Sequence, residues 1–386
     1  MGREASPAGE AILIAAQSGR ALAEAARRAG LRPLVLDLFG DADTRALAEA
    51  YRPLPGRFGT GRLGGAALLA GLEALAEGAG RLRGVVLGSG FEGAPDLMRA
   101  IAARFPLIGA EPETVAALKD PFALAALCAR LGIPHPPVTR EPVPDRARWL
   151  LKRVGGSGGS HIRAATAGAA PPGGYFQARV SGRAFALNVL ADGRGITPLA
   201  LTEQWSAPSP LRPFRYAGAL ARGRGEPGPV PPALVERVSE AVARLVAATG
   251  LRGLASADLL IDGPDWWLME INPRPGATLD VLDRQPTPLL AAHIEAAFGR
   301  LPPPEPAPED AAGAEICYAA SRYAPVPSLD WPGFVRDRPV AGSVVARDAP
   351  LCTLLASGPD AGTVRERLRE HAEATRALLE ETETTR

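Results

Sequence analysis

The sequence predicts a layered protein of the mixed α/β and α+β classes, and three observations carry that expectation. Over residues 1–110, short apolar runs alternate with segments of helical periodicity, the pattern of a parallel sheet wound with helices. From residue 111 onward the runs alternate with glycine loops and pair as hairpins, as antiparallel sheets do. Of 386 residues, 46% are hydrophobic and 22% charged, enough apolar material for two or three buried cores. The expected division is an amino-terminal α/β domain over 1–110, a central domain over 111–300, a proline-rich linker over 301–310, and a β-rich cap with a terminal helix over 311–386.

Each element has a local reason. Ala11 to Ala16 is an apolar run, a helical pattern follows Gln17-Ser18-Gly19-Arg20 to Ala29, Gly30 stops it, and Pro33 to Leu38 is a second run. A third run, Gly84 to Leu87, ends in Gly88-Ser89-Gly90-Phe91-Glu92 and leads into a helix from Pro95 to Arg104. Loops at the carboxyl ends of such strands are placed to take a ligand. Lys119-Asp120-Pro121 opens a helix to about Leu131, Gly132 stops it, and Ile133 to Val138 is held extended by its prolines. Trp149 to Val154, Tyr175 to Val180 and Ala184 to Leu190 read as strands, and Pro227 to Pro232 stiffens the entry to an amphipathic helix, Ala233 to Thr249. Leu254 to Ile261 and Trp267 to Ile271 form a hairpin. The tail holds short strands around Ile316 and Cys352, then a charged helix from Thr363 to about Glu380.

With 43 Lys plus Arg against 42 Asp plus Glu, the net charge is +1, so no global field selects a polyanion, and neither nucleic acid nor anionic membrane is an expected partner. No apolar run reaches the roughly 18 residues of a membrane span, and Met1 to Pro7 lacks an apolar signal region. Cys128, Cys317 and Cys352 are widely spaced and odd in number, which argues against a disulfide framework or a thiolate zinc site and for a reducing cytoplasm. Only two basic residues are lysine, Lys119 and Lys152, and Asn188 and Asn272 are the only asparagines. In a chain so biased toward Arg, Ala, Gly and Pro, a disfavoured residue type marks a position where chemistry asks for it.

Two motifs carry that chemistry. In the first, strand residue Lys152 runs into Gly155-Gly156-Ser157-Gly158-Gly159-Ser160-His161, and the chain returns as Ile162-Arg163-Ala164. Unobstructed amides, hydroxyls and an ammonium suit triphosphate oxygens. The absence of a Gly-Lys-Ser/Thr helix start separates this loop from a Walker motif, so it reads as the tip of a mobile hairpin. In the second, Glu270 and Asn272 lie two apart on a strand and share a face. Asp258 joins them if the hairpin register sets it opposite Glu270, through a five-residue connection, Asp262 to Trp266. Opposed carboxylates repel unless a divalent cation sits between them, and an all-oxygen ligand set favours magnesium. Arg274, just past the strand, is placed for a transferring phosphoryl group or a substrate carboxylate. Asn188 either faces the ligand or satisfies buried backbone, and His161 either touches phosphates or packs.

Lys119, Lys152 before the glycine hairpin, the stretch Gln177 to Gly182 with Val180, then Phe185 and Asn188, and finally Asp258 with Glu270-Ile271-Asn272-Pro273-Arg274, together resemble the ATP-grasp enzymes over roughly Glu111 to Arg300. The tail around Arg338 to Ser343 and Pro350 to Ala356 is similar to the cap of the biotin-carboxylase-related branch, which includes predicted ATP-dependent carboligases. The resemblance implies an ATP-grasp fold with an N-terminal Rossmann-like domain and a small C-terminal cap. It implies ATP clamped by Lys119, Lys152, Gly155, Gly156, Ser157, Gly158, Gly159, Ser160, Gln177 and Val180, magnesium on Asp258, Glu270 and Asn272, and catalysis by Lys152 and Arg274. Three positions depart from the family pattern. Ala184 follows the turn where a ribose-binding glutamate usually stands, for which Glu203 is a substitute; Gln177 replaces a frequent acid; and Ser256 replaces an arginine, whose role passes to Arg274 or Arg153. The activity implied is ADP-forming carboxylate–amine ligation through an acyl phosphate, with cofactor biosynthesis as its setting, small-molecule acid and amine as partners, and a homodimer allowed. Bicarbonate activation and a catalytically silent ATP-binding module are the rivals. A nicotinamide oxidoreductase ranks behind them: Asp37 follows the second strand, but the first turn lacks the glycines that admit pyrophosphate.

Overall fold

The computed structural model describes residues 9–54, 56 and 64–384; the stretch read above for targeting lies outside them. The amino-terminal layer comprises β1 (Ala11–Ala16), α1 (Arg20–Arg28), β2 (Arg32–Asp37), α2 (Ala42–Leu47), β3 (Ala50–Pro53), α3 (Gly65–Ala76), β4 (Leu82–Leu87), α4 (Pro95–Ala102) and β5 (Leu107–Ile108). Its sheet is parallel, in the order β3-β2-β1-β4-β5. The strand order reverses between β1 and β4, so the loops after these two strands open one crevice. The sequence reading missed α2, β3 and α3. β3 lies at the sheet edge, half-buried to exposed, so it carries no apolar run, and neither α2 nor α3 has a side-chain cap to announce it.

Two helices follow, α5 (Pro112–Lys119) and α6 (Pro121–Leu131). Lys119 therefore does not open the second helix, as expected above, but closes the first. Asp120 caps α6 by accepting from the Phe122 and Ala123 amides at 2.8 and 2.9 Å, and Pro121 occupies the first helical position, where its missing amide costs nothing.

A four-stranded sheet, order β6-β9-β7-β8, is built from β6 (Val138–Thr139), β7 (Trp149–Arg153), β8 (Arg163–Ala164) and β9 (Gly174–Ala178). β7 and β8 pair antiparallel around the glycine loop, so the expected hairpin is present. β9 ends at Ala178, which leaves Val180 in the connector to the next sheet rather than on a strand.

That second sheet has eight strands. It is made of β10 (Arg183–Asp192), β11 (Ile196–Ser206), β12 (Tyr216–Ala221), then, after α7 (Pro232–Thr249), β13 (Arg252–Asp262) and β14 (Asp265–Asn272). Helices α8 (Leu279–Leu282) and α9 (Leu289–Ala297) precede β15 (Ala311–Tyr318), β16 (Val335–Arg336), β17 (Pro350–Gly358) and α10 (Ala361–Thr384). The order is β14-β13-β10-β11-β12-β15-β17-β16. The tail strands thus continue the central sheet through the β12–β15 pairing, and α10 packs Val364 and Leu368 into the core beneath them.

Alternation sorts the sheet faces. On β10 and β13, Phe185, Leu187, Val189, Ala255, Ala257 and Leu259 enter a core shared with α7 and the amino-terminal layer, and the intervening residues face the other way. Among the described residues, no helix is long and apolar enough to cross a membrane.

Candidate functional site

Asp258 stands opposite Glu270, and Ser256 opposite Asn272. The route to this register differs from the expected five-residue connection. Asp262 pairs with Asp265 across a two-residue turn, Gly263-Pro264, and the register shifts between Asp258 and Leu259, leaving Met269 as the extra residue of a bulge. Without that residue, Glu270 would fall on the opposite face from Asp258, because side chains alternate. Trp266 and Leu268 before the bulge, and Ile271 after it, all point into the same core, which is the signature of the one-residue flip.

On the other face Asn272 Nδ2 donates to Asp258 Oδ2 at 3.0 Å, and Lys119 Nζ, from the end of α5, donates to Asn272 Oδ1 at 2.9 Å and to Glu270. Burial, and then the Glu270 charge, lift the Asp258 carboxyl to about 7. Burial also works upward on Glu270, but the Lys119 ammonium outweighs it and holds that carboxyl below its usual range. Asp258 Oδ1 is sealed from solvent without a hydrogen-bond partner among the described residues. A sealed carboxylate oxygen, a second carboxylate and an amide oxygen form a hard, all-oxygen donor set that fits a divalent cation of the magnesium class. Among the described residues no group of three or more His, Cys, Asp or Glu gathers, so such a cation would draw its remaining ligands from water and phosphate.

Lys152 faces this set from the smaller sheet. It lies two residues from Leu150, which is opposite Gln177, so Lys152 and Gln177 share a face. Both are buried, with 7% and 1% of their surface exposed. Burial lowers the Lys152 pKa, while Glu270 and then Asp258 pull it upward, as they can only across a common cleft. His161 is held neutral, its pKa lowered to about 4 by burial against the pull of Glu270. Its Nδ1 and Gln177 Oε1 are further sealed polar atoms without a partner among the described residues. His161 thus stands at the cleft beside Glu270, with its ring packed over Gly156.

The glycine loop is packed rather than free. A Cβ on Gly155 (φ 67°) would lie 2.5 Å from Gly93 Cα, and one on Gly159 (φ 67°) would lie 1.8 Å from the Phe214 carbonyl oxygen. The Tyr216 amide donates to the Gly158 carbonyl at 2.9 Å. Gly156 lies under the His161 ring, 2.3 Å from where its Cβ would stand, and Ser157 and Ser160 are half-buried in the same loop. The loop therefore touches the amino-terminal layer on one side and the segment before β12 on the other.

Arg274 does not hang free past β14. Its Nε donates at 2.8 Å to Glu92, whose side chain is 2% exposed, and the second Glu92 oxygen accepts from the Gly90 amide at 2.6 Å. Burial acts to raise the Glu92 pKa, and Arg274 followed by Lys119 overcomes it. The sequence places Glu92 only at the end of a ligand-facing loop; the signal for more was an acid closing a glycine-rich strand end. His293 was missed outright. It is buried in α9, accepts the Leu254 amide on Nδ1 at 2.8 Å, and sets Nε2 3.2 Å from the Ile108 carbonyl, tying β13 to β5.

Three expectations are corrected, and Asn188 takes the second of its two readings by donating to the Ala186 carbonyl at 3.1 Å. Glu203 cannot replace a ribose-binding acid, because it pairs with Phe185 on the face away from Asp258 and is held there by Arg183, Arg222 and Arg365 at 2.7, 3.0 and 2.9 Å. Arg153 neighbours Lys152 on the strand, so it points to the outer face and is exposed. Asn188 lies in the Ser256 row but is spent within the protein, donating to Thr202 at 3.0 Å and accepting from Thr278 at 2.8 Å. The Gln17 to Arg20 loop, which as a strand-end loop is placed to take a ligand, is locked instead: Ser18 and Arg20 both donate to Asp337, at 3.2 and 3.1 Å.

Residues 121–278 match the ATP-grasp domain family. By fold, the chain is similar to the biotin carboxylase domain of Hydrogenobacter thermophilus 2-oxoglutarate carboxylase, a dimer in complex with MgADP, ADP and bicarbonate. The TM-score is 0.72 at 15% identity, covering 94% of this chain and 89% of that one. Biotin carboxylase from Campylobacter jejuni, in its β-γ-ATP complex, gives 0.69 at 14% identity over 93% and 89% of the two chains. The biotin carboxylase domain of a single-chain bacterial carboxylase gives 0.69 at 20% identity over 93% and 87%. No curated protein matches the chain by sequence.

Proposed function

Because the chain carries an ATP-grasp domain over 121–278, on the fold of the biotin carboxylase domains, we propose that it is an ATP-dependent carboxylate–amine ligase releasing ADP and phosphate. The observation that carries this reading is the opposition of Asp258 and Glu270 beneath Lys152, with Asp258 Oδ1 sealed and unpartnered among the described residues. ATP would lie between the two sheets, its phosphates under the glycine loop and near Lys152 and Lys119, and its base toward Gln177 and the Val180 connector. Asp258, Glu270 and Asn272 would hold magnesium, which supplies charge neutralisation on the phosphate oxygens.

A substrate carboxylate oxygen attacks the γ-phosphorus and ADP departs, leaving an acyl phosphate. The amine then attacks the acyl carbon, loses a proton, and phosphate leaves. Lys152 and Arg274 neutralise charge spreading over the transferring group, and positioning with electrostatics provides most of the rate. The glycine loop excludes the water that would hydrolyse the intermediate. The same reading sets the enzyme in cytoplasmic cofactor synthesis and allows a homodimer, as the Hydrogenobacter domain is a dimer.

The test is ADP release with ATP, magnesium and a panel of acids and amines. Release that requires both partners, with hydroxylamine diverting the product to a hydroxamate, supports the ligase. The second reading, bicarbonate activation, is favoured by the bicarbonate bound to the Hydrogenobacter domain; ADP release driven by bicarbonate without an amine would establish it in place of the ligase. ATP binding without turnover across the panel would leave only a binding module.

A further inference from the structure

Cys317 and Cys352, far apart in the sequence, stand directly opposite each other on β15 and β17. Opposed residues of an antiparallel pair share a face and bring their Cα atoms to about 4.5–5.5 Å, within the roughly 4.4–6.8 Å that a disulfide spans. Both are free thiols, facing each other across the strand pair. We propose that this pair is a reversible thiol–disulfide modification site, oxidised by hydrogen peroxide, with Cys317 as the attacking sulfur and Cys352 as the resolving one.

Accessibility and electrostatics divide the roles. Cys317 is half-buried whereas Cys352 is 2% exposed, so a small oxidant meets Cys317 first. The facing Cys352 thiol, and also the Arg376 guanidinium of α10, lower the Cys317 pKa against its burial, which favours the nucleophilic thiolate. The same pairing, followed by burial, raises the Cys352 pKa and keeps it a thiol until it is needed. An accessible thiolate beside a resolving thiol is the arrangement in which sulfenic acid condenses to a disulfide before it is oxidised further.

In the first step the Cys317 thiolate attacks one peroxide oxygen, the O–O bond breaks, and sulfenic acid and hydroxide form. In the second, the Cys352 sulfur attacks the sulfenic sulfur, the S–O bond breaks, and the departing hydroxide takes the Cys352 proton as water. Two thiols lose two electrons in all, and one peroxide becomes two waters once the first thiol proton is counted. The cross-link would pin β15 to β17, which pairs in turn with β16 just before Asp337.

Cys128 is an internal control. It is fully buried in α6, and burial alone pushes its thiol to about 11. The experiment treats the folded full-length chain with hydrogen peroxide, quenches, unfolds it, and maps peptides by mass spectrometry with and without dithiothreitol. The expected result is a single cross-link between Cys317 and Cys352, reversed by dithiothreitol, with Cys128 still available to iodoacetamide. The Cys352→Ser chain should instead accumulate Cys317 sulfenic acid that dimedone traps. Three free thiols after treatment, or Cys317 sulfinic acid beside a free Cys352, overturns the proposal, and the wild-type map decides it even if the variant does not fold.

Discussion

Lys152 and His293 are both buried polar residues, and they show the two uses to which a folded chain puts them. Lys152 keeps an ammonium out of water only because Glu270 and Asp258 share its cleft. Replacing it by methionine keeps the stem and removes the charge, so Lys152→Met should cut ATP turnover by about 100-fold or more while the melting midpoint holds or rises. Retained ADP production in a steady-state assay would remove Lys152 from the reaction. His293 is neutral by design: burial lowers its pKa from 6.5 to about 4. Between those values the unfolded chain binds a proton that the folded chain refuses, so stability falls as pH drops from 6.5 toward 4, by on the order of 3 kcal/mol. Gln offers both an acceptor and a donor in place of the ring, so His293→Gln should flatten that part of the stability-versus-pH curve in urea titrations. Lys152 was legible in the sequence because it is one of two lysines and adjoins a glycine run. His293 was not, because its partners are backbone groups of Leu254 and Ile108, which no side-chain pattern records.

At the scale of the element, the hairpin and the glycine loop were recognised from composition, and their geometry was not. Alternation placed Glu270 and Asn272 on one face, but a bulge at Met269 has no compositional mark, so the turn was read three residues too long to achieve the same register. The glycine loop was read as an open tip because glycines alone do not say what approaches them. Two of them are required by close approach: Gly155 lies against Gly93, and Gly159 against the Phe214 carbonyl. The contact at Gly159 is with backbone and the residue has φ 67°, so a methyl group cannot be absorbed there by a side-chain shift. Gly159→Ala should therefore lift the loop off the segment before β12. Turnover should fall and KM for ATP rise, each by about tenfold, so that kcat/KM drops about 100-fold, equivalent to about 2.7 kcal/mol of lost transition-state stabilisation, with the melting midpoint nearly unchanged because the loop contributes little core. Unaltered kinetic constants would show that closure at this point is dispensable.

Across the whole molecule, the boundaries written in proline and charge do not separate independent bodies. The tail strands continue the central sheet, and one buried ionic knot ties three distant parts of the chain. Arg20 of α1, 1% exposed, donates to Asp280 of α8 at 2.6 Å and to Asp337, after β16, at 3.1 Å. The Asp43 carboxylate of α2 accepts from the Asp337 and Arg338 amides at 2.8 and 3.0 Å. Such a knot was illegible because each member looks like an ordinary surface charge until the fold brings them together. Removing the cation leaves buried carboxylates uncompensated, so Arg20→Met should cost about 3–5 kcal/mol in urea unfolding. The knot also holds more acid than base, and pH reads out the surplus. Burial first, and then Asp337, lift the Asp41 carboxyl from 3.8 to about 8, so the folded chain holds a proton that the unfolded chain releases near 3.8. A carboxyl raised in this way contributes stability that is complete below the unfolded value and is lost as pH rises through the folded one. Asp41→Asn fixes the neutral form. Its unfolding midpoint should match that of the wild type near pH 4 and exceed it increasingly up to pH 9, whereas a constant offset between the two curves would show that Asp41 titrates no differently in the folded chain.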